Sequence, residues 1–232
     1  MAARLVLALL LAAGLHSCIR YEYEQEFWLE VDGSGRVNVT GRPDLWAAFK
    51  GFAVDGDEDA LRQRARALFE QSGLRVRRVL VTHRGGRAYL FVGAAFDDVN
   101  RLDHTPAFPD LAIALRPQDE RLRLQGAWRR PAALAATPPA PDDGMMAVRF
   151  HLPSKIYQHE NAADGVERGN ILAWRQDVSA ARRGAELAFG ATMDRRSIFY
   201  STVGLFAGAV ALALVLLGVM VWVVRRKGQQ AA

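Results

Sequence analysis

Two apolar segments, one near each end of the chain, limit what it can fold into more than anything between them. Residues Leu5–Leu15 form an apolar run of 11 residues that stops just before the one cysteine, Cys18. Residues Ile198–Val224 form a second run of 27 residues without a charge, closed by Arg225, Arg226 and Lys227. A helix rises about 1.5 Å per residue, so the second run reaches roughly 40 Å and can cross about 30 Å of hydrocarbon with some tilt. The first run is too short to span and reads as a signal-peptide core, with Arg4 as its positive flank. The expected organisation is a signal peptide (1–17), an exported domain (18–197), a transmembrane helix (198–224) and a cytoplasmic tail (225–232). Charge alone gives only a lean, since Arg195 and Arg196 precede the span. The exporting signal sets the orientation and the span then stops transfer.

The first run ends in Leu15-His16-Ser17-Cys18. This resembles a bacterial lipobox, in which a Leu and two small residues direct lipidation of the following Cys; His16 stands where Ala, Ser or Thr is usual. The resemblance implies lipidation at Cys18. The alternative is ordinary signal cleavage with Cys18 as a spare thiol. Either way one cysteine forms no disulfide within the chain, so the exported domain folds on its hydrophobic core alone.

About 180 residues lie between the two segments, enough for one domain with a real core or two small ones. The net charge is +5. Lysine occurs only at Lys50, Lys155 and Lys227, so nearly all the basic charge is arginine. With abundant alanine, this fits a GC-rich bacterial genome. A basic chain suggests nucleic acid, but an exported domain rarely meets it, so no nucleic-acid partner is expected. Arginines near a bilayer face either anionic headgroups or plain solvent. The expected location is the bacterial inner (cytoplasmic) membrane, single-pass, with the domain outside and the C-terminus in the cytoplasm.

In Tyr21–Val31, residues Tyr21, Tyr23, Phe27, Leu29 and Val31 alternate with Glu22, Glu24, Glu26, Trp28 and Glu30, which predicts a half-buried strand. Asp32–Gly35 is a turn and Arg36–Thr40 the returning strand. Asp44–Phe52 reads as a helical turn or short helix. Asp57–Ser72 is the clearest helix: acidic residues crowd its start, Leu61, Ala65, Leu68 and Phe69 form one face, and Gly73 ends it. Leu74–Thr82 and Arg87–Phe96 form a hairpin across Gly85-Gly86, and Asp97–Asp103 a helical turn. Leu111–Leu115 and Arg121–Trp128 pair as a further hairpin. Pro131–Gly144 is an extended loop. Ala147–Leu152, Lys155–His159, Asn170–Gln176 and Ala185–Thr192 are the last strands, with Asp177–Gly184 a loop or short helix. The expected class is α+β: a mostly antiparallel sheet, able to curve towards a barrel, with one main helix, plus one C-terminal transmembrane helix. At about 3.4 Å per extended residue, the short tethers hold the domain within roughly 20 Å of the bilayer.

No motif for catalysis stands out. There is no Gly-x-Ser-x-Gly, no phosphate loop and no His-Glu-x-x-His. His151, His159 and Glu160 would make a metal pocket only if their strands met, and the Glu22, Glu24, Glu26 stripe reads as a solvated face. No metal, cofactor or catalytic residue is assigned. Tyr21, Tyr23 and Phe27 are the candidate lining of an apolar ligand slot between a curved sheet and the Asp57–Ser72 helix; their simpler reading is core packing.

The layout resembles the bacterial LppM-domain (DUF3153) family of membrane-anchored lipoproteins. The likeness rests on Ser17-Cys18-Ile19-Arg20 opening into a strand, Val148–Pro153, Asn161–Gly165 ahead of Ile171-Leu172-Ala173-Trp174, and the closing helix. It implies an envelope domain, lipid or glycolipid binding, and no catalytic residues to carry over. The expected function is a non-enzymatic, membrane-anchored envelope domain binding a lipid, a glycolipid or a membrane-protein partner. The alternatives are an accessory subunit of an inner-membrane complex and an envelope enzyme.

Overall fold

A computed structural model describes residues 21–103, 105–131, 144–166 and 170–230. The signal peptide, Cys18 and most of the proline-rich 131–144 loop lie outside the described residues. Strand β1 (Tyr21–Leu29) buries Tyr23, Gln25, Phe27 and Leu29 on one face, as alternation predicts. The Asp32 carboxylate accepts from the Ser34 N–H at 2.9 Å and its hydroxyl at 2.7 Å, and this turn leads into β2 (Gly35–Gly41). Helix α1 (Pro43–Lys50) starts on a proline, whose fixed φ suits the first helical position. Helix α2 (Glu58–Gln71) is capped by Asp57, which accepts from the Ala60 N–H at 2.8 Å. Strands β3 (Arg75–Arg84) and β4 (Arg87–Phe96) turn through Gly85 and Gly86, both at positive φ (57° and 76°), where only glycine is unstrained.

A single 3-10 turn (Val99–Arg101) leads to the hairpin of β5 (Leu111–Gln118) and β6 (Arg121–Trp128). Then come β7 (Met145–His151), β8 (Ile156–Glu160), β9 (Ile171–Asp177), α3 (Val178–Arg182) and β10 (Leu187–Asp194). The described chain closes with α4 (Ile198–Gln230).

The strands form two sheets. A six-stranded sheet runs β3-β4-β2-β1-β7-β9 and a four-stranded sheet runs β5-β6-β10-β8. Every pairing is antiparallel except β1 with β7. That parallel pair joins residues more than a hundred positions apart, and no local pattern announces it. The class is α+β with two mostly antiparallel sheets, α2 as the main helix and one apolar C-terminal helix; among the described residues the sheets do not close into a barrel.

One continuous core lies between the sheets. Helix α1 is driven into it, with Leu45, Trp46 and Phe49 fully buried. The Phe49 ring meets Tyr23 of the larger sheet at 4.9 Å and Trp128 of the smaller at 4.7 Å, both edge-on. Helix α2 covers β3 and β4, and its Phe69 packs on Trp46 and Phe108. Among the described residues these rings pack beneath α2.

The two ends of the body leave from different places. In the smaller sheet Leu187 pairs with Trp128, and Asp194 with Arg121. Tyr23, near the start of β1, bonds to Asp110 beside Trp128. Strand β1 therefore begins near the Leu187 end of β10 and α4 departs from the Asp194 end, about 24 Å further along an extended strand. Only Arg195, Arg196 and Ser197 separate β10 from α4. Within α4, Thr202–Trp222 (21 residues, mean hydropathy 2.6) is long and apolar enough to cross a membrane and is not buried against the body.

Candidate functional site

The three aromatics expected to share a slot do not share one. Tyr23 and Phe27 are fully buried in the core, where Phe27 stacks on Phe150 at 4.9 Å. Tyr21 lies on the opposite face, because the β1–β7 register shifts between Tyr21 and Tyr23. Its ring sits 5.6 Å from the guanidiniums of both Arg149 and Arg175.

Tyr23 belongs instead to a buried polar cluster around Asp110. One Asp110 oxygen accepts from Gln25 Nε2 (2.6 Å), Trp128 Nε1 (2.8 Å) and the Tyr23 hydroxyl (3.2 Å). The other faces Lys50 Nζ at 3.1 Å, and neither charged side chain is exposed. Lys50 also donates to the Ala107 carbonyl and lies 4.6 Å from the Phe108 ring centre. Burial lowers the Lys50 pKa, while the Asp110 charge opposes that shift. Burial first, and the Asp110 charge next, push the Tyr23 phenol well above its usual value. The cluster ties β1, α1, the 102–110 loop and β6 together. All of its members are buried.

The acidic stripe of β1 is not a bare solvated face. Strand β1 is central in its sheet, so long side chains from both neighbours lie over it. Glu22 accepts from the Tyr89 hydroxyl at 2.7 Å and stands 3.5 Å from Arg42. Arg149 is 3.6 Å from both Glu24 and Glu26, and His151 Nε2 is 2.7 Å from Glu26. His151 and His159 lie in different sheets, so the conceivable His-His-Glu pocket does not assemble. Among the described residues no group of three or more His, Cys, Asp or Glu is placed to hold a metal ion.

Glu24 gives this face a test. Burial, against the opposing pull of Arg149, raises its pKa above the ordinary value. A raised carboxyl pKa means the folded state holds the proton more tightly than the unfolded one. Stability from this group is therefore present in acid and lost as pH rises through the folded value. Glu24→Gln is expected to raise the urea midpoint at pH 7, with the gain shrinking towards pH 4. A lower midpoint at pH 7 would mean that the Arg149 pair dominates instead.

Two open cavities are lined largely by polar and charged side chains. One, about 450 Å³, lies beside Trp28, Arg36, Arg75 and Asp97. There Arg36 from β2 and His151 from β7 flank the Trp28 indole at 4.3 and 4.5 Å. Arg75 and Asp97 pair across it at 2.6 Å.

A second cavity, about 590 Å³, opens where β6 and β8 begin and β10 ends, beside the root of α4. Its wall is Glu120, Arg121, Tyr157, Asp194, Arg195 and Arg196. Tyr157, on the edge strand β8, is 43% exposed. The Arg121 guanidinium lies 4.2 Å and Lys155 Nζ 5.3 Å from its centre. The Tyr157 hydroxyl donates to Asp194 at 3.2 Å, and the other Asp194 oxygen accepts from the Arg196 N–H at 2.9 Å. That backbone bond, first among the causes, holds the Asp194 carboxyl below its usual pKa. A smaller recess of about 280 Å³ adjoins the cup, sharing Glu120 and Arg121 and adding Gln118, Gln158 and Thr192.

The sequence alone does not disclose this cup. In it Arg195 and Arg196 read only as topology signals, and Tyr157 only as a strand residue. No spacing rule links positions 121, 157 and 195; the strand order of the smaller sheet does. No family profile and no curated protein matches the chain. Among solved structures, the NMR structure of the folded domain of the Mycobacterium tuberculosis LppM protein is similar over 75% of this chain and 90% of that one, at 12% identity and a TM-score of 0.41.

Proposed function

We propose that this chain is a non-enzymatic binding domain of the bacterial envelope, of the LppM-domain kind, held against the inner membrane by α4 and working at the lipid headgroups. One observation carries the reading. Three residues, Arg195–Ser197, join the last strand to a helix long and apolar enough to span. At about 3.4 Å each they span roughly 10 Å, so the body cannot leave the headgroup region. The polar cup at that junction faces the same layer. If Cys18 carries acyl chains, the tether at the far end of the smaller sheet pulls that end down as well. The strands of that sheet then lie along the bilayer rather than standing on it.

In this reading the body is extracytoplasmic and the Arg225–Lys227 tail cytoplasmic. Protease added to intact spheroplasts is expected to digest the body and spare a tag placed on the tail. Digestion of the tag with the body intact would reverse the orientation. Intact-mass measurement of the full chain reads Cys18 directly: diacyl or triacyl additions support lipidation, and an unmodified cleaved or uncleaved mass excludes it.

A further inference from the structure

We propose that the cup between Tyr157, Arg121 and the Arg195-Arg196 pair binds the phosphodiester of an anionic phospholipid in the leaflet on which the body rests. The proposal rests on the membrane-anchored reading above, and it holds whichever side of the membrane the body occupies.

Depth is the first argument. Helix α4 begins at Ile198, and the uncharged run Ile198–Val224 starts with it, one residue after Ser197. In a spanning helix the residues just before that run lie at the headgroup layer. Arg195 and Arg196 therefore sit where phosphates are.

Charge is the second. Arg121, Lys155, Arg195 and Arg196 make no ion pair among the described residues, although the Arg195 guanidinium donates to the Asp119 carbonyl at 3.4 Å. Other arginines are paired, as in Arg62 with Glu58 and Asp59, Arg64 with Asp55, Arg75 with Asp97, and Arg123 with Glu160. Three arginines face two carboxylates along the wall, which leaves one net positive charge there. That complements a monoanionic diester better than free phosphate, which carries nearly two charges at neutral pH. Guanidiniums also offer the planar fork that fits two phosphate oxygens at once.

Preorganisation is the third. Asp194 is occupied by Tyr157 and the Arg196 backbone, and its own N–H donates to the Lys155 carbonyl at 2.9 Å. It acts as a brace that fixes three walls of the cup relative to one another. Gln118, Gln158 and Thr192 in the adjoining recess supply neutral donors and acceptors for headgroup hydroxyls.

The test uses the full chain, purified in mild detergent and placed in nanodiscs of phosphatidylcholine with or without phosphatidylglycerol. Lipid retention is read by native mass spectrometry. Each cation at an anionic surface strengthens association about fivefold. The Arg121→Gln/Arg195→Gln/Arg196→Gln variant is therefore expected to lose at least about tenfold of its phosphatidylglycerol retention. A control with the same charge loss on the distant surface, Arg62→Gln/Arg66→Gln/Arg75→Gln, is expected to keep it. Equal loss in both variants would reduce the effect to bulk charge and overturn the site. A salt titration of the unmodified protein needs no variant: preference for phosphatidylglycerol that does not weaken with salt also overturns it. Displacement of the lipid by millimolar inorganic phosphate or glycerol phosphate would assign the cup to a soluble phosphate compound instead. Carbonate extraction separates the two readings. Release of the chain from membranes ends the anchored reading, whereas a retained chain without lipid preference ends only the cup.

Discussion

Asp110→Ala is expected to lower the unfolding free energy of the body by about 3–5 kcal/mol at neutral pH, because it leaves a buried ammonium without its counter-charge. Lys50 and Asp110 are both fully buried and 3.1 Å apart. Removing the carboxylate also strips an acceptor from Gln25, Tyr23 and Trp128 together. Lys50→Met/Asp110→Asn removes both charges while the Asn oxygen still accepts from Trp128, so the double variant is expected to recover at least half of the loss. A double-mutant cycle in urea, followed by tryptophan fluorescence of the full chain in detergent, measures this. Simple addition of the two single losses would show that the groups are not coupled. pH gives a second handle. Burial lowers the Lys50 pKa in the fold, and Asp110 opposes that shift; without the carboxylate it falls further. A depressed lysine pKa means the unfolded state binds more protons. The stability of Asp110→Ala should therefore rise as pH climbs from the depressed value towards about 10.4, and its deficit relative to the unmodified protein should narrow.

That pin also marks where sequence reasoning stops. Lys50 stands 60 positions from Asp110, one ending a short helix and the other preceding a strand. Nothing local tells such a lysine from a solvated helix end. Features that depend on neighbours in sequence are legible. The alternation of β1, the capped start of α2, the Gly85-Gly86 turn and the charge-free run inside α4 each derive from the chemistry of a few consecutive residues. Features that depend on register are not. The parallel β1–β7 pair, the overlying of Glu24 and Glu26 by Arg149, and the cup at the root of α4 arise only once distant strands are neighbours. Tyr21 lies between the two cases. Strict period two puts it with Tyr23, and one register shift turns it to the other face. A slot drawn from periodicity alone thus joins two core residues to one half-buried residue of the opposite face.

Phe150→Ala is expected to cost about 3–5 kcal/mol, the range for truncating a fully buried aromatic whose site cannot collapse. Phe150 lies on β7, where the two sheets face each other. It stacks on Phe27 at 4.9 Å and 13°, meets Trp174 edge-on at 6.0 Å, and touches Phe189 of the smaller sheet at 5.2 Å. Its loss therefore opens a void bounded by both sheets at once, and rigid strands on either side cannot close it. Phe150→Leu keeps most of the volume and should cost clearly less. Trp28→Ala supplies the contrast. Trp28 is the larger ring, but it lies half-buried on the outer face of the same sheet between Arg36 and His151. Its removal opens onto solvent and leaves no enclosed cavity, so about 1–2 kcal/mol is expected. Urea midpoints of the three variants decide the matter. If Trp28→Ala matches or exceeds Phe150→Ala, the outer face of the larger sheet is itself a packed interface, and the core does not lie only between the sheets.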